Sequence, residues 1–173
     1  MNNIGPMIAA SAKLGLGYAD RLLKDIREED FSAFASCGGT IIESNHPAFI
    51  FGHLSLYAPR IVKELGVETD LRNPPEQFQE LFSKDATCVN DSTNTIYPKM
   101  DSILSYFKDG HNAAIDALQS AEDSIFHLEN PNEAMRKLFP TIGAMHAFYV
   151  GGHFMMHMGQ LSAWRRIAGL GAA

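Results

Sequence analysis

Apolar and polar positions along the chain recur at the three-to-four spacing of helices, not at the two-residue spacing of strands. Over residues 7–27, Leu14, Tyr18, Leu22, Leu23 and Ile26 form a stripe, and Lys13, Asp20, Arg21, Lys24 and Asp25 supply a wet side, which predicts a first helix. Gly15 and Gly17 weaken it slightly or permit close approach by a neighbour. Arg27-Glu28-Glu29-Asp30 begins a polar connector, and Cys37-Gly38-Gly39-Thr40 closes it as a turn. Ser44-Asn45-His46-Pro47 is a helix start, because proline suits the first turn, where its missing N–H is no loss, and a Ser or Asn just before it can cap. The second helix is predicted over 47–65, stopping at Gly66 and bent after Tyr57, where the Pro59 ring meets a carbonyl one turn back.

Residues 66–97 form a polar interlude, in which Asn73-Pro74-Pro75-Glu76 starts a short helix through Phe82 and 85–95 is an irregular loop, a candidate lid. The third helix covers 98–121, with Ile103, Leu104, Phe107, Ala114, Ile115 and Leu118 mostly on one stripe. A short helix opens at Pro131-Asn132-Glu133 and ends near Phe139; Pro140-Thr141 then starts a fourth long helix ending at Gly169. No segment combines alternation with β-branched richness, so the expectation is an all-α chain. Residues 1–173 form one domain, a four-helix bundle with a long crossover connection between helices 2 and 3.

Composition changes this picture little. The 173 residues, 46% hydrophobic and 20% charged, suit one folded domain with a real core. A formal charge of -6, with no Lys/Arg cluster interleaved with aromatics, sets nucleic acid aside. Cys37 and Cys88 make neither a disulfide framework nor a CxxC motif, as expected of reduced thiols in a cytoplasmic protein. Met1-Asn2-Asn3-Ile4-Gly5-Pro6 lacks the basic and apolar regions of a signal peptide. Residues 138–164 contain no Asp, Glu, Lys or Arg and are long enough for a membrane span. Three histidines, a glutamine and four glycines lower the run's hydropathy, and a buried central helix explains it better.

The candidate chemistry lies in that run. His153 and His157, four apart on a helix, point the same way at roughly 6 Å between Cβ atoms and can reach one metal ion. Apolar and small neighbours (Phe154, Met156, Met158, Gly159) imply burial, and a buried imidazole needs a partner. A metal is one such partner; Gln160, Asn45 or a buried water are others. His146 shares the face of His153 two turns upstream, about 10.5 Å away along the axis, too far to join the same ligand shell. It stays a wall or pocket residue, as does His46 at the entrance of the second helix, which caps it or lines the pocket mouth. His53, flanked by Gly52, which would let another backbone come close, is the candidate third ligand. His111 and His127 read as ordinary surface or half-buried residues. Three neutral imidazoles leave coordination positions open, as in catalytic rather than structural sites.

Asn45-His46-Pro47-Ala48-Phe49-Ile50-Phe51-Gly52-His53-Leu54, followed by His153-Phe154-Met155-Met156-His157-Met158-Gly159-Gln160-Leu161 and Trp164-Arg165-Arg166, resembles the DinB-like, or YfiT-like, superfamily of metalloenzymes. The resemblance spans nearly the whole chain in element order. It implies a four-helix bundle, a metal site of His53, His153 and His157 holding nickel, zinc or a similar divalent ion, and a frequent homodimer. Characterised relatives include transferases and isomerases that use low-molecular-weight thiols such as bacillithiol or mycothiol. No residue here matches a thiol-binding motif. The expected function is a metal-dependent enzyme acting on a small molecule, foremost a thiol-dependent S-transferase. No catalytic residue is assigned beyond the ligands, and Gln160 and His146 are the candidates behind them. Neither ligand helix carries the acidic residue of a His-Glu-x-x-His hydrolase, which disfavours peptide-type hydrolysis. The rival expectations are a non-catalytic metal- or small-ligand-binding stress-response protein, and a purely structural bundle.

Overall fold

A computed structural model describes residues 2–71 and 73–173; Met1, in the segment read for a signal peptide, and Arg72, in the polar interlude, lie outside the described residues. The chain is mostly helical. In order it forms α1 (Ile4–Leu23), the single-turn α2 (Glu28–Phe31), strands β1 (Ser36–Cys37) and β2 (Thr40–Ile41), α3 (Pro47–Ser55) and α4 (Ala58–Glu64). There follow α5 (Glu76–Phe82), α6 (Met100–Ser120), α7 (Asp123–Phe126), a 3-10 turn (Glu133–Met135), α8 (Ile142–Ala147), a π-helical turn (Phe148–His153) and α9 (Phe154–Ile167). The helix expected through Phe139 is thus only a 3-10 turn, and the expectation of no strands needs correction. Gly38 and Gly39 both take positive φ (58° and 80°), which closes a tight hairpin pairing Ser36 with Ile41 and Cys37 with Thr40. Strands of two residues are too short for alternation to reveal.

Of the stripe that the large residues of the first helix suggested, Leu22 and Ile26 are buried and Tyr18 and Leu23 pack against the core, but further toward its start small residues take over. Leu14 is 78% exposed, while Ala9, Ala12, Gly15, Ala19 and Leu22 are buried. Small residues let α1 lie close to α6 and α9; a Cβ on Gly15 would sit 3.2 Å from the Phe154 ring. α6 buries Ile103, Phe107, Ala114, Ile115 and Leu118 as expected, and α1, α3 and α4 all pack against it. Arg165 pins the end of α9 to the end of α1 by donating to the carbonyls of Leu22 (2.7 Å) and Lys24. No helix among the described residues is long and apolar enough to cross a membrane.

The second long helix breaks where Pro59 requires it, between Ser55 and Ala58, so α3 and α4 are separate segments joined at Leu56 and Tyr57. α3 begins on His46, which itself serves as the cap in place of Ser44 or Asn45: Nδ1 accepts from the Phe49 N–H at 3.2 Å. Nε2–H of His46 donates to the Val89 carbonyl at 3.0 Å, tying α3 to the loop expected to be a lid. That loop is fastened inside as well, since the Asp91 carboxylate accepts from the backbone N–H groups of Thr95, Ile96 and Tyr97 at 2.8–3.1 Å.

Gly52 lets α5 cross α3 closely, although what approaches is a side chain rather than backbone. A Cβ there would fall 2.6 Å from the fully buried Phe82 ring. Gly52→Ala is therefore expected to displace Phe82 and destabilise the protein by about 1–3 kcal/mol, the typical cost of overpacking. Denaturant unfolding checks this, and an unchanged midpoint would contradict the packing described.

Candidate metal centre

Two helices bring three imidazoles together. His53 comes from the buried middle of α3, His157 from the first turns of α9, and His153 from the π turn that feeds α9. Their facing nitrogens lie within 4.8 Å of one another. His153 Nε2 is 3.2 Å from His53 Nε2 and 3.2 Å from His157 Nε2. All three residues are buried, at 6–7% exposure.

The outer nitrogens fix the tautomers of two of them. Nδ1 of His53 lies 2.6 Å from the Phe82 carbonyl, which can only accept, so Nδ1 carries the proton and Nε2 keeps its lone pair. Nδ1 of His157 likewise donates to Gln160 Oε1 at 2.9 Å, and Asn45 Nδ2 donates to the same oxygen at 3.2 Å. Nδ1 of His153 is buried and has no hydrogen-bond partner among the described residues.

Charge favours the neutral forms. Burial holds His153 down to about 3, and the neighbouring His157, His53 and His111 push the same way. Burial lowers His157 to about 4 against the hydrogen bond to Gln160. His53 is lowered by burial, partly offset by its bond to the Phe82 carbonyl. At neutral pH two lone pairs therefore point at His153 Nε2, which as a neutral donor could satisfy only one of them. A cation between the three nitrogens would satisfy all three. The 3.2 Å separations match the edge of about 3.3 Å in a tetrahedron with metal–nitrogen bonds of about 2.0–2.1 Å. The donor set, three neutral imidazoles with two of their outer N–H groups held, fits a divalent ion.

Aromatic rings wall the cluster. Phe49 stacks on His53 at 6.3 Å, and Tyr57 meets both His53 (5.0 Å) and His153 (4.6 Å) edge-on. Tyr149 packs on Tyr57 at 4.9 Å, and its hydroxyl accepts from Arg60 Nη1 at 3.1 Å. Neither tyrosine is among the site residues expected from the sequence, yet each stands four residues from one of the three histidines, Tyr57 after His53 and Tyr149 before His153. That spacing was the available signal. Beyond this wall, Leu56, Pro59, Arg60 and Gln79 help line an open groove of about 1540 Å³ whose lining includes none of the three histidines.

The other candidates divide. Gln160 holds His157, as described. His46 is the α3 cap and reaches the loop rather than the cluster. His146 lies apart from the cluster: its Nε2 meets Glu64 Oε2 at 2.8 Å, and Glu64 Oε1 accepts from Arg60. The π turn explains this. A continuous α-helix would put His146 on the face of His153, but the wider turn across Phe148–His153, softened by Gly151 and Gly152, shifts the phase of everything upstream. His111, expected at or near the surface, is buried at 3% exposure against Phe107 and Phe154.

No protein-family model matches the chain, and no curated protein matches it by sequence.

Proposed function

We propose that this chain is a metal-dependent enzyme of the DinB-like type, acting on a small molecule and foremost a thiol-dependent S-transferase. The observation that carries the reading is the approach of the Nε2 atoms of His53 and His157 to that of His153 at 3.2 Å, in a buried aromatic pocket. The element order supports a four-helix bundle with α1, α3–α4, α6 and α8–α9 as its long members and 66–97 as the crossover. From the resemblance come nickel or zinc as the ion, a low-molecular-weight thiol as co-substrate and a homodimer; a cytoplasmic setting belongs to the same proposal.

A divalent ion held by the three histidines would supply Lewis acidity, lowering the pKa of a thiol or water beside it. The chain's part is positional. Phe82 and Gln160 hold the imidazoles by their outer N–H groups, and Phe49, Tyr57 and Tyr149 keep bulk water away. In the transfer itself the thiol loses its proton, sulfur bonds to an electrophilic carbon, and the leaving group departs with its electron pair and takes up a proton.

The burial of the cluster also favours a second reading, a metal- or small-ligand-binding stress-response protein without turnover. A panel of thiols with chlorodinitrobenzene or monobromobimane separates the two. Thiol consumption that stops with a chelator and returns with nickel or zinc is the expected result. Bound metal with no metal-dependent consumption would favour the binder.

A further inference from the structure

The break between α3 and α4 has a chemical consequence. Pro59 cannot continue α3, so the chain turns at Leu56 and Tyr57, and the Tyr57 ring lies across the edges of two of the three imidazoles, 5.0 Å from His53 and 4.6 Å from His153. Tyr57 is half-buried whereas the histidines are buried, so it connects the cluster to the exterior. Its neighbour Tyr149 has its hydroxyl engaged by Arg60, which Glu64 holds in turn, and Glu64 is bonded to the buried His146. Tyr149, held through Arg60 and Glu64, thus packs the Tyr57 ring against the imidazoles and leaves the Tyr57 hydroxyl without a hydrogen bond among the described residues.

Resting on the metal-site reading above, we propose that Tyr57 is the hydrogen-bond donor to the anion, a thiolate or hydroxide, that binds next to His53, His153 and His157. A phenol suits this task, because its O–H can donate to sulfur or oxygen while its ring packs on the ligands. None of the three histidines can donate to such an anion: Nε2 of each faces inward, the outer nitrogens of His53 and His157 are engaged, and the unpartnered Nδ1 of His153 lies on the side of its ring away from the inward-facing Nε2. Tyr57 is then a substrate-contacting residue, and Arg60 and Tyr149 are positioning residues.

The test uses the full chain loaded with cobalt(II), with azide as the probe anion and the visible cobalt bands as the readout. Tyr57→Phe keeps the ring and removes the donor. The expected result is unchanged cobalt affinity and an unchanged azide-free spectrum, with azide binding weakened about tenfold, the scale of one hydrogen bond to a charged group. Tyr149→Phe, whose hydroxyl is already engaged, is expected to weaken azide much less. Equal azide affinity in Tyr57→Phe and the parent overturns the inference and leaves the metal site standing. Loss of cobalt from Tyr57→Phe also overturns it, because the phenol would then be supporting the ligands rather than the anion. If the parent takes up no cobalt, the proposed function falls, and this inference with it.

Discussion

Replacing His153 with alanine is expected to abolish stoichiometric metal binding. His153 Nε2 is the atom common to both 3.2 Å approaches, so its removal leaves His53 and His157 without the nitrogen that links them. The loss should exceed the roughly 10–100-fold that removal of an outer hydrogen-bond partner costs a metal site. Metal analysis of protein purified without a histidine tag gives the first reading: near one ion per chain in the parent and none in the variant. Thermal unfolding gives the second. A ligand at about 100 times its Kd stabilises the folded state by about 2.7 kcal/mol. Added zinc or nickel should raise the Tm of the parent and leave that of His153→Ala unmoved. A variant that keeps its metal, or a parent that holds none in any preparation, would falsify the site.

How far the sequence discloses the centre depends on the range of the interaction concerned. His153 and His157 are legible because helical geometry joins them locally, and the break at Pro59 because the ring's clash is with its own helix. His53 lies 100 residues from His153, so no local spacing joins them, and its place in an apolar helix beside Gly52 made it a candidate that the family resemblance then singled out. Phase over a long helix is where local reading fails. The π turn at Phe148–His153 moves His146 off the ligand face to Glu64, and a tally of three-to-four spacings assumes no such insertion. Burial was misjudged at both extremes, because residue size is a poor guide to a close helix contact. Leu14 faces outward while Ala12 and Gly15 are buried, and His111 after Lys108-Asp109-Gly110 lies inside. Tyr57 and Tyr149 were within reach of the same i, i+4 reasoning that found the ligand pair.

Freed of metal by a chelator, the protein is expected to unfold cooperatively as the pH falls from about 6.5 toward 4. Burial lowers five histidines: His46, His111 and His157 to about 4, His153 to about 3, and His53 below its ordinary value. In the unfolded chain each titrates near about 6.5. Between the two values the unfolded state binds protons that the folded state refuses, so stability falls with acidification across that window and levels off below it, where both states are protonated. Each fully engaged histidine contributes about 1.4 kcal/mol per pH unit. The four lowered to about 3 or 4 together approach about 6 kcal/mol per unit, against a net stability of ~5–15 kcal/mol. His46 shows the local event: a proton on Nδ1 displaces the Phe49 N–H it accepts, and α3 loses its cap. Saturating zinc should move the midpoint to lower pH, because ligation keeps His53, His153 and His157 neutral. The acid sensitivity that remains belongs to His46 and His111, which lie outside the ligand set. Circular dichroism across pH 7 to 4 with and without zinc measures both effects, and native near-ultraviolet signal persisting at about pH 4.5 in chelator would mean that these imidazoles are not held neutral by burial.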